Sequence, residues 1–292
     1  MAPLLQIQLQ AVVDGLMLGA TYSLLGLGFT LIFGVFRRLN LAFGPTILVG
    51  IYAGSLWSRA RPGSLLLVVT ITLLGTLLAG IYVERCSFRA LARQAPVVSM
   101  ISTFAVSMQL QELVTLLPAA RTMPYPAPAW LPGVEVGGVM LRSDGLFMWA
   151  GATLLMAALF LLLYRTRLGT TLRAVADSPE AATLMGVDVA RIGVIAFVLA
   201  SLVGGAAGIL IMSSQQQVTP YFGLWATVKG LTVMLLGGAG SLSGAVAGGI
   251  VLGVVESEAL WSFGGQWRDL AAYALLFAAA AASRGRVTGE PE

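Results

Sequence analysis

The stretch Val194-Ile-Ala-Phe-Val-Leu-Ala-Ser-Leu-Val-Gly-Gly-Ala-Ala-Gly-Ile-Leu-Ile-Met-Ser213 decides the fold class of this chain. It carries no charged side chain, and as a helix it is long enough to cross the roughly 30 Å hydrocarbon core of a bilayer. Similar apolar runs cover approximately residues 11–36, 39–57, 64–83, 96–117 and 146–164, and two or three more lie between 225 and 282. The sequence therefore predicts an all-α, polytopic bundle of eight or nine spanning helices, forming a single transmembrane domain over residues 1–292.

The composition agrees with lipid as the main solvent and excludes several kinds of chemistry. Hydrophobic residues make up 58% of the 292 residues and charged residues 10%, whereas about 25% is usual in soluble domains. Cys86 is the single cysteine and histidine is absent, which excludes a disulfide framework, a cysteine metal cluster and a histidine-based zinc site or triad. The chain also lacks the Gly-Lys-Ser/Thr of a P-loop, and Gly238-Ala-Gly240 lacks the third glycine of a dinucleotide motif. We therefore expect neither an enzyme nor a cofactor or metal site.

The distribution of arginine predicts the orientation in the membrane. The net charge of +4 does not indicate nucleic-acid binding, because the arginines lie in the gaps between apolar runs. With the N-terminus outside, the inside loops hold Arg37, Arg38, Arg85, Arg89, Arg93, Arg165, Arg167, Arg173 and Arg191, and the outside holds Arg59, Arg61, Arg121, Arg142 and Arg268. An inside C-terminus with Arg284 and Arg286 requires an odd number of crossings, which favours nine over eight. The proline-rich loop at 118–145 then lies outside and is expected to be an irregular cap.

Residues 165–193 form the longest predicted inside loop, and a short helix is encoded within it. Ser178 is a good N-cap, Pro179 fits the first helical position, Glu180 complements the positive helix end, and Gly186 is placed to end the helix. The result is a helix of about two turns, roughly 10 Å long. Two interpretations stay open at this point: the helix contacts a soluble protein, or the loop merely caps the bundle.

A resemblance to a known family favours the first interpretation, in which the helix contacts a soluble protein. Glu180-Ala181-Ala182 followed after three residues by Gly186 resembles the loop by which permeases of ATP-binding-cassette importers contact their ATPases, although the usual downstream Leu-Pro is absent. Over roughly residues 11–280 the chain resembles branched-chain amino acid permeases of the LivH type. The segments that carry this resemblance are Leu39-Asn-Leu-Ala-Phe-Gly44, Leu168-Gly169, Leu172-Arg-Ala174, Leu184-Met-Gly-Val-Asp188 and Leu236-Gly-Gly-Ala-Gly-Ser-Leu-Ser-Gly-Ala245. The chain has Phe43 where the family commonly has His, and Ser243 where it commonly has Pro.

The resemblance implies a permease subunit of a bacterial importer in the inner membrane, with no catalytic role of its own. Its implied partners are ATPase subunits, a second homologous permease and an extracytoplasmic solute-binding protein, and family substrates include branched-chain amino acids, urea and short amides. The implied ATPase-coupling residues are Arg173, Asp177, Ser178, Pro179, Glu180, Ala181, Ala182, Leu184, Met185 and Gly186. The alternative is an ion-gradient-driven secondary transporter or channel, which a chain of acidic residues through the membrane would favour. An intramembrane enzyme is a further alternative, against which the absence of histidine and of paired buried aspartates counts.

Polar residues and helix breaks within the apolar runs are candidates for a translocation pathway. An ionisable side chain within a spanning helix is costly and usually faces a cavity or a partner. Glu112 with Gln109 is interpreted as a polar lining, Lys229 as its ion-pair partner or an interfacial anchor, and Asp14, Glu256 and Glu258 as residues that reach the interface. Broken helices at Asn40–Pro45 and at Gly237–Gly244 are places where backbone groups would meet a solute near the midplane. The candidate set is Asn40, Phe43, Gly44, Gln109, Glu112, Lys229, Gly238 and Gly240.

Glycine pairs spaced four residues apart are the remaining strong pattern. The pairs are Gly15 with Gly19, Gly204 with Gly208, Gly244 with Gly248, and Gly249 with Gly253. Small residues at this spacing let helix backbones approach closely. Packing within the subunit, a seam with a second permease and a pore lining are all compatible with the pattern.

Overall fold

The computed structural model describes residues 2–61, 63–116, 122–128, 132–136 and 138–282. The helices are α1 (Ala2–Phe36), α2 (Phe43–Ala60), α3 (Leu65–Val83), α4 (Pro96–Thr115), α5 (Ser143–Arg165), α6 (Arg167–Asp177), α7 (Pro179–Leu184), α8 (Val189–Gln215), α9 (Phe222–Gly237), α10 (Leu242–Phe263) and α11 (Gly265–Ala282). A π-helical turn, Glu84–Arg89, extends α3. The strands are β1 (Met123–Pro124), β2 (Val134–Val136), β3 (Val139–Leu141) and β4 (Gln217–Val218). The expectations placed on Pro118, Arg121, Arg284 and Arg286 lie outside the described residues.

The all-α polytopic architecture predicted from composition is confirmed. Within the described residues, six helices are both long and apolar enough to cross a membrane: α1, α3 with its π-helical turn, α4, α5, α8 and α10. The other predicted membrane segments correspond to α2, α9 and α11, which have 18, 16 and 18 residues. The nine-crossing expectation therefore depends on three helices that are shorter or less apolar than the rest.

The loops fall at two ends of the bundle, which we call the α7 end and the β end. At the α7 end, Arg37 Nη2 donates to the Ala176 carbonyl at 2.9 Å, and Arg38 donates to the carbonyls of Leu91, Ala92 and Gln94. These bonds join three of the loops that arginine content assigns to the inside. At the β end, β1 pairs with β4 and β2 pairs with β3, both antiparallel.

The expectation of an irregular loop at 118–145 was wrong for the residues that are described. This segment contributes β1, β2, β3 and the start of α5. Its prolines do not prevent pairing, because β1 is only two residues long and the next residue, Tyr125, donates its backbone N–H to the Gln216 carbonyl at 2.9 Å. Ser55 Oγ donates to the Pro124 carbonyl at 2.6 Å and ties the segment to the end of α2. Among the described residues between 122 and 142 there is no helix, as the prolines predict.

Helix α1 is the centre of the bundle, and from Gly15 to Phe36 it carries no charged side chain on any side. Residues 19–35 are all buried, as expected for a helix with no polar face. Its closest neighbour is α10, and the two backbones meet at paired glycines. A Cβ added to Gly19 would lie 2.8 Å from Ile250 Cα, and one added to Gly253 would lie 2.4 Å from the Gly15 carbonyl oxygen. Two of the predicted glycine pairs therefore pack against each other.

The other two glycine pairs also pack within the chain. A Cβ on Gly208 would lie 2.6 Å from Ile47 Cγ2 of α2, and one on Gly248 would lie 2.6 Å from the Val233 carbonyl oxygen of α9. Of the three interpretations of the glycine spacing, packing within the subunit accounts for these contacts.

A cluster of charged side chains with a buried centre, Lys229 and Glu256, joins four helices. Lys229 Nζ of α9 lies 2.5 Å from Glu256 Oε1 of α10 and 3.1 Å from Asp269 Oδ1 of α11. Arg268 Nε of α11 lies 3.2 Å from Glu256 Oε2, to which Tyr22 of α1 also donates a hydrogen bond at 2.8 Å. The side chains of Lys229 and Glu256 are 2% and 0% exposed. Two cations and two anions thus neutralise one another.

The cluster corrects two expectations. Glu256 does not reach the interface but is fully buried, whereas Asp14 and Glu258 are half-buried. Lys229 neither pairs with Glu112 nor acts as an interfacial anchor. The reason is geometric: α9, α10 and α11 pack together and bring four charged residues, Lys229, Glu256, Arg268 and Asp269, into contact.

The glycine contacts between α1 and α10 lead to a prediction for Gly253→Ala. Alanine usually stabilises a helix interior relative to glycine, by about 0.5–1 kcal/mol. At Gly253 the new methyl group meets the α1 backbone, so we expect a loss of about 1–3 kcal/mol in the free energy of unfolding. Gly265→Ala is the matched control, since its nearest neighbour would be 3.9 Å away. Reversible detergent denaturation measures both, and an unchanged or increased stability of Gly253→Ala would contradict close packing here.

The charge cluster leads to a prediction for Lys229→Met. Removing one partner of a buried ion pair costs about 3–5 kcal/mol, because the other charge stays buried with less compensation. Arg142→Met is the control, since the Arg142 side chain is 67% exposed and its partner Asp144 keeps the hydrogen bond from Ser214 Oγ, so the loss should be clearly smaller. Adding Glu256→Gln to Lys229→Met should recover part of the loss. Additive effects of the two substitutions in a double-mutant cycle would show that the pair is not coupled.

Candidate coupling loop and transport path

Helix α7 has the start and end that the sequence predicts. Ser178 Oγ accepts a hydrogen bond from the Ala181 N–H at 3.2 Å, and Pro179 occupies the first helical position. At the other end Gly186 has a φ of +82°, its N–H donates to the Thr183 carbonyl at 3.0 Å, and the next N–H, of Val187, donates to the Ala182 carbonyl at 3.0 Å. This paired arrangement is the Schellman motif, which glycine permits at low conformational cost.

The residues of α7 differ strongly in their solvent exposure. Ala182 is 3% exposed and seats the helix on the bundle, whereas Leu184 and Met185 at its C-terminal end are 90% and 82% exposed. Glu180 is exposed in the first turn, and Ser178 Oγ contacts its carboxylate at 3.3 Å. A short, well-capped helix thus presents two large apolar side chains outward.

The rest of the 165–193 segment is more helical than predicted. Helix α6 occupies Arg167–Asp177, and α8 begins at Val189, five residues before the predicted span at 194. Each start has a capping side chain: Thr166 Oγ1 accepts from the Gly169 N–H at 3.1 Å, and Asp188 Oδ1 accepts from the Arg191 N–H at 3.0 Å. Thr166 and Asp188 are residue types that favour helix starts, so they could have predicted both helices from the sequence. The charged residues of the segment suggested a loop instead.

Two residues of the predicted coupling set lie on α6. The Arg173 guanidinium lies over the Tyr164 ring of α5, 4.8 Å from its centroid. Asp177, at the C-terminal end of α6, is exposed. Both line a cleft described below.

The predicted helix break near Asn40 is the start of α2. Asn40 Oδ1 accepts from the Ala42 N–H at 3.0 Å, Thr103 Oγ1 accepts from the Leu41 N–H at 3.3 Å, and Thr227 Oγ1 accepts from the Gly44 N–H at 3.1 Å. Side chains of the protein therefore satisfy the free N–H groups that a helix start leaves.

This helix start is tightly packed. A Cβ on Gly44 would lie 1.9 Å from the Gly223 carbonyl oxygen, so α2 and α9 begin against each other. Phe43 is 1% exposed, and its ring lies 4.8 Å from that of Phe29, centroid to centroid. Phe43 also fills the space left by Gly204 of α8, where an added Cβ would lie 2.7 Å from Phe43 Cζ. The junction joins α1, α2, α8 and α9, and a role in lining a pathway remains a prediction.

Gln109 and Glu112 lie on the outward face of α4. The side-chain Oε1 of Gln109 accepts from the Tyr82 hydroxyl at 2.8 Å, and Glu112 Oε2 accepts from Thr115 Oγ1 at 2.9 Å. Both residues are exposed in the single chain, so the structure does not bring them to Lys229. Their predicted place on a polar lining stays a prediction.

The second predicted break, around Gly237–Gly244, is the turn between α9 and α10. Gly238 and Gly240 have φ values of +88° and +90°, which require glycine for conformational reasons. The turn lies at the α7 end, beside α6, and not at the middle of the bundle as expected. Together with α1, α5 and α6 it borders a cleft of about 300 Å³, which includes Thr30, Arg173, Asp177 and Ser241.

Comparison of the sequence with known proteins identifies its family. Residues 11–280 match the family described as branched-chain amino acid transport system / permease component. The high-affinity branched-chain amino acid transport system permease protein LivH of Salmonella typhimurium is 28% identical over 97% of this chain and 96% of its own length. The corresponding protein BraD of Pseudomonas aeruginosa is also 28% identical over 97% of this chain and 96% of its own length, and LivH of Escherichia coli K12 is 27% identical with the same coverage.

These relatives are transport permeases and not enzymes, and with the six apolar helices they identify a multi-pass inner-membrane protein. The match extends through α7, the α2 junction and the α9–α10 turn. The chain belongs to the family of branched-chain amino acid transport system permease components.

Proposed function

We propose that this chain is the membrane-spanning subunit of an ATP-binding-cassette importer that moves branched-chain amino acids or a related small polar solute inward. ATPase subunits in trans supply the energy, because the sequence has no P-loop of its own. The observation that carries the proposal is α7, a capped helix with an apolar tip outside the bundle. An exposed pair of large apolar side chains on a short helix is suited to a groove in another protein.

The packing around α7 provides a path by which a force on the helix reaches the bundle. Ala182 is buried, and α7 follows α6 with only Ser178 between them. The Ser178 N–H in turn donates to the Ala174 carbonyl of α6 at 3.1 Å. The α7 and α6 helices therefore move as one short lever.

This lever is attached to the central helix of the bundle. Arg37, just after α1, donates to the Ala176 carbonyl near the end of α6. Helix α1 continues into the glycine contacts with α10 and the charge cluster with α9, α10 and α11. We propose that these four helices pivot as a body when an ATPase displaces α7, which exposes a solute pathway alternately on the two sides of the membrane.

The remaining partners follow from the same proposal. A second homologous permease completes the pathway, and the exposed polar face of α4 with Gln109 and Glu112 is a candidate lining. A solute-binding protein delivers its cargo at the β end, which the arginine distribution assigns to the outside. The named function of LivH and BraD supports branched-chain amino acids as the solute class.

An ion-gradient-driven transporter is the alternative class of function. Its supporting observation is the set of ionisable groups buried between α1, α9, α10 and α11. Their opposite charges neutralise one another, which suits a structural cluster better than a site that must gain and lose a proton. Uptake that needs no ATPase would favour the alternative.

The exposed tip of α7 leads to a prediction for Leu184→Asp. Leu184 packs little within the chain, so stability should change by about 0.5 kcal/mol or less. A charge buried in the ATPase contact should reduce ATP-driven leucine uptake into proteoliposomes at least about tenfold and weaken ATPase co-purification. Thr170→Asp, at an exposed position of α6, is the control and should retain uptake. Wild-type uptake and ATPase recovery by Leu184→Asp would count against the coupling role.

The end of α7 leads to a separate prediction for Gly186→Val. The φ of +82° is unfavourable for a side chain with a Cβ, by about 1–2 kcal/mol, so the Schellman turn should open and α7 should lose its fixed direction. We expect the protein to reach the membrane in normal amount but to couple ATP hydrolysis to uptake poorly. Gly63→Val is the control, since an added Cβ there meets no atom within 4 Å. Unimpaired coupling in Gly186→Val would show that a rigid α7 is not needed.

A further inference from the structure

The cleft at the α7 end has the properties of a ligand site. Its volume of about 300 Å³ lies at the lower limit for small-molecule pockets. It is bordered by α1, α5, α6 and the start of α10, so one bound molecule would contact four helices. One of these, α6, continues directly into α7.

Two buried polar atoms among the cleft residues have no partner in the part of the chain that the structure describes. They are Thr30 Oγ1 and Arg173 Nε. Thr30 is 1% exposed, so its hydroxyl is cut off from bulk solvent. Buried donors are nearly always satisfied in folded proteins by protein, water or a ligand, so two unsatisfied ones on the same cleft point to a polar occupant there.

One side of the cleft is suited to a carboxylate. Arg173 is held in place by the Tyr164 ring, at 4.8 Å from its centroid, and carries a positive charge with several donors. Helix α10, which is 22 residues long, begins at the cleft and directs its positive end there. Ser241 caps that helix by accepting from the Gly244 N–H at 3.1 Å, which leaves its own hydroxyl hydrogen free to donate to a ligand.

The other borders of the cleft are suited to an ammonium group and an aliphatic chain. Asp177 lies one helical turn after Arg173 on α6 and supplies a negative charge on the same cleft. Leu31, Val35 and Leu163 supply an apolar wall. A cation, an anion and an apolar surface together match the three parts of an α-amino acid with an aliphatic side chain.

We propose that this cleft binds a free aliphatic α-amino acid from the cytoplasmic side, and that the bound molecule restrains α6 and hence α7. The proposal rests on the proposed function for the side of the membrane and for the solute class. The cleft is then a second binding site for the solute, separate from the transport pathway. Imported amino acid that accumulates inside binds there and slows further import. The carboxylate contacts Arg173, Thr30 and Ser241, and the ammonium group contacts Asp177.

Equilibrium binding of radiolabelled L-leucine to the permease–ATPase complex in nanodiscs tests the site. Thr30→Val keeps the shape of the side chain and removes the hydroxyl, and Arg173→Gln removes the charge. Each should weaken binding at least about tenfold, since hydrogen bonds to charged groups are lost. Thr170→Val and Arg167→Gln, at exposed positions of α6, are the matched controls and should bind as the wild type does.

Two leucine analogues test the proposed polarity of the site by competition with leucine. 4-Methylpentanoate lacks the amine and 3-methylbutylamine lacks the carboxylate, and both should compete at least about tenfold more weakly than leucine. Equal competition by either analogue, or wild-type affinity in both cleft variants, would overturn the proposal.

Feedback is measured with leucine preloaded on the ATPase side of proteoliposomes during ATP-driven uptake. Preloading should slow uptake by the wild type, and in Thr30→Val it should do so only at about tenfold higher concentration. Normal ATP-driven uptake without these effects would refute the cleft site alone. Loss of ATP dependence in the wild type would instead refute the proposed function.

Discussion

The low dielectric constant around a membrane bundle is the constraint on which this structure depends, because it leaves no water to compensate an isolated charge. Lys229 and Glu256 are almost completely buried, and they persist there because Asp269, Arg268 and the Tyr22 hydroxyl complete a neutral cluster. The cluster draws its members from α1, α9, α10 and α11. It therefore fixes these four helices relative to one another more specifically than apolar contacts do, since apolar side chains pack almost equally well against lipid.

The low dielectric constant also explains how free backbone N–H groups are satisfied and how helices pack closely. Where α2 begins inside the bundle, threonine hydroxyls of α4 and α9 accept the N–H groups that have no helical partner. Where α1 meets α10, glycines bring the two backbones into contact, and dispersion forces replace the hydrophobic effect as the source of attraction. The helices are therefore tightly packed, and we expect conformational changes to move whole helices relative to one another.

The α7 end differs because its short helix is exposed and has local stability of its own. Ser178 and Gly186 terminate α7 through hydrogen bonds within a few residues, so the helix keeps its shape although Leu184 and Met185 lack cover within the chain. Helix α6 links this element to α1 through the Arg37 contact and to the cleft through Arg173 and Asp177. A partner at α7 and a small solute in the cleft would thus both act on α6.

Local features of this protein could be read from the sequence, whereas contacts between distant segments could not. The caps of α7 and the close contacts of the glycine pairs depend on spacings of a few residues and appear as predicted, and each predicted apolar run contains a helix, although the helix boundaries differ. Helix α6 was missed because its charged residues resemble those of a loop, although Thr166 and the buried Leu172 and Val175 were usable signals. Helical periodicity orients side chains only about the helix's own axis, and α1 has no charged side chain from Gly15 to Phe36, so nothing in the sequence states which neighbour each face of that part meets. Only the tertiary structure decided that Lys229 pairs with Glu256 and not with Glu112, and that Thr30 and Arg173 share one cleft.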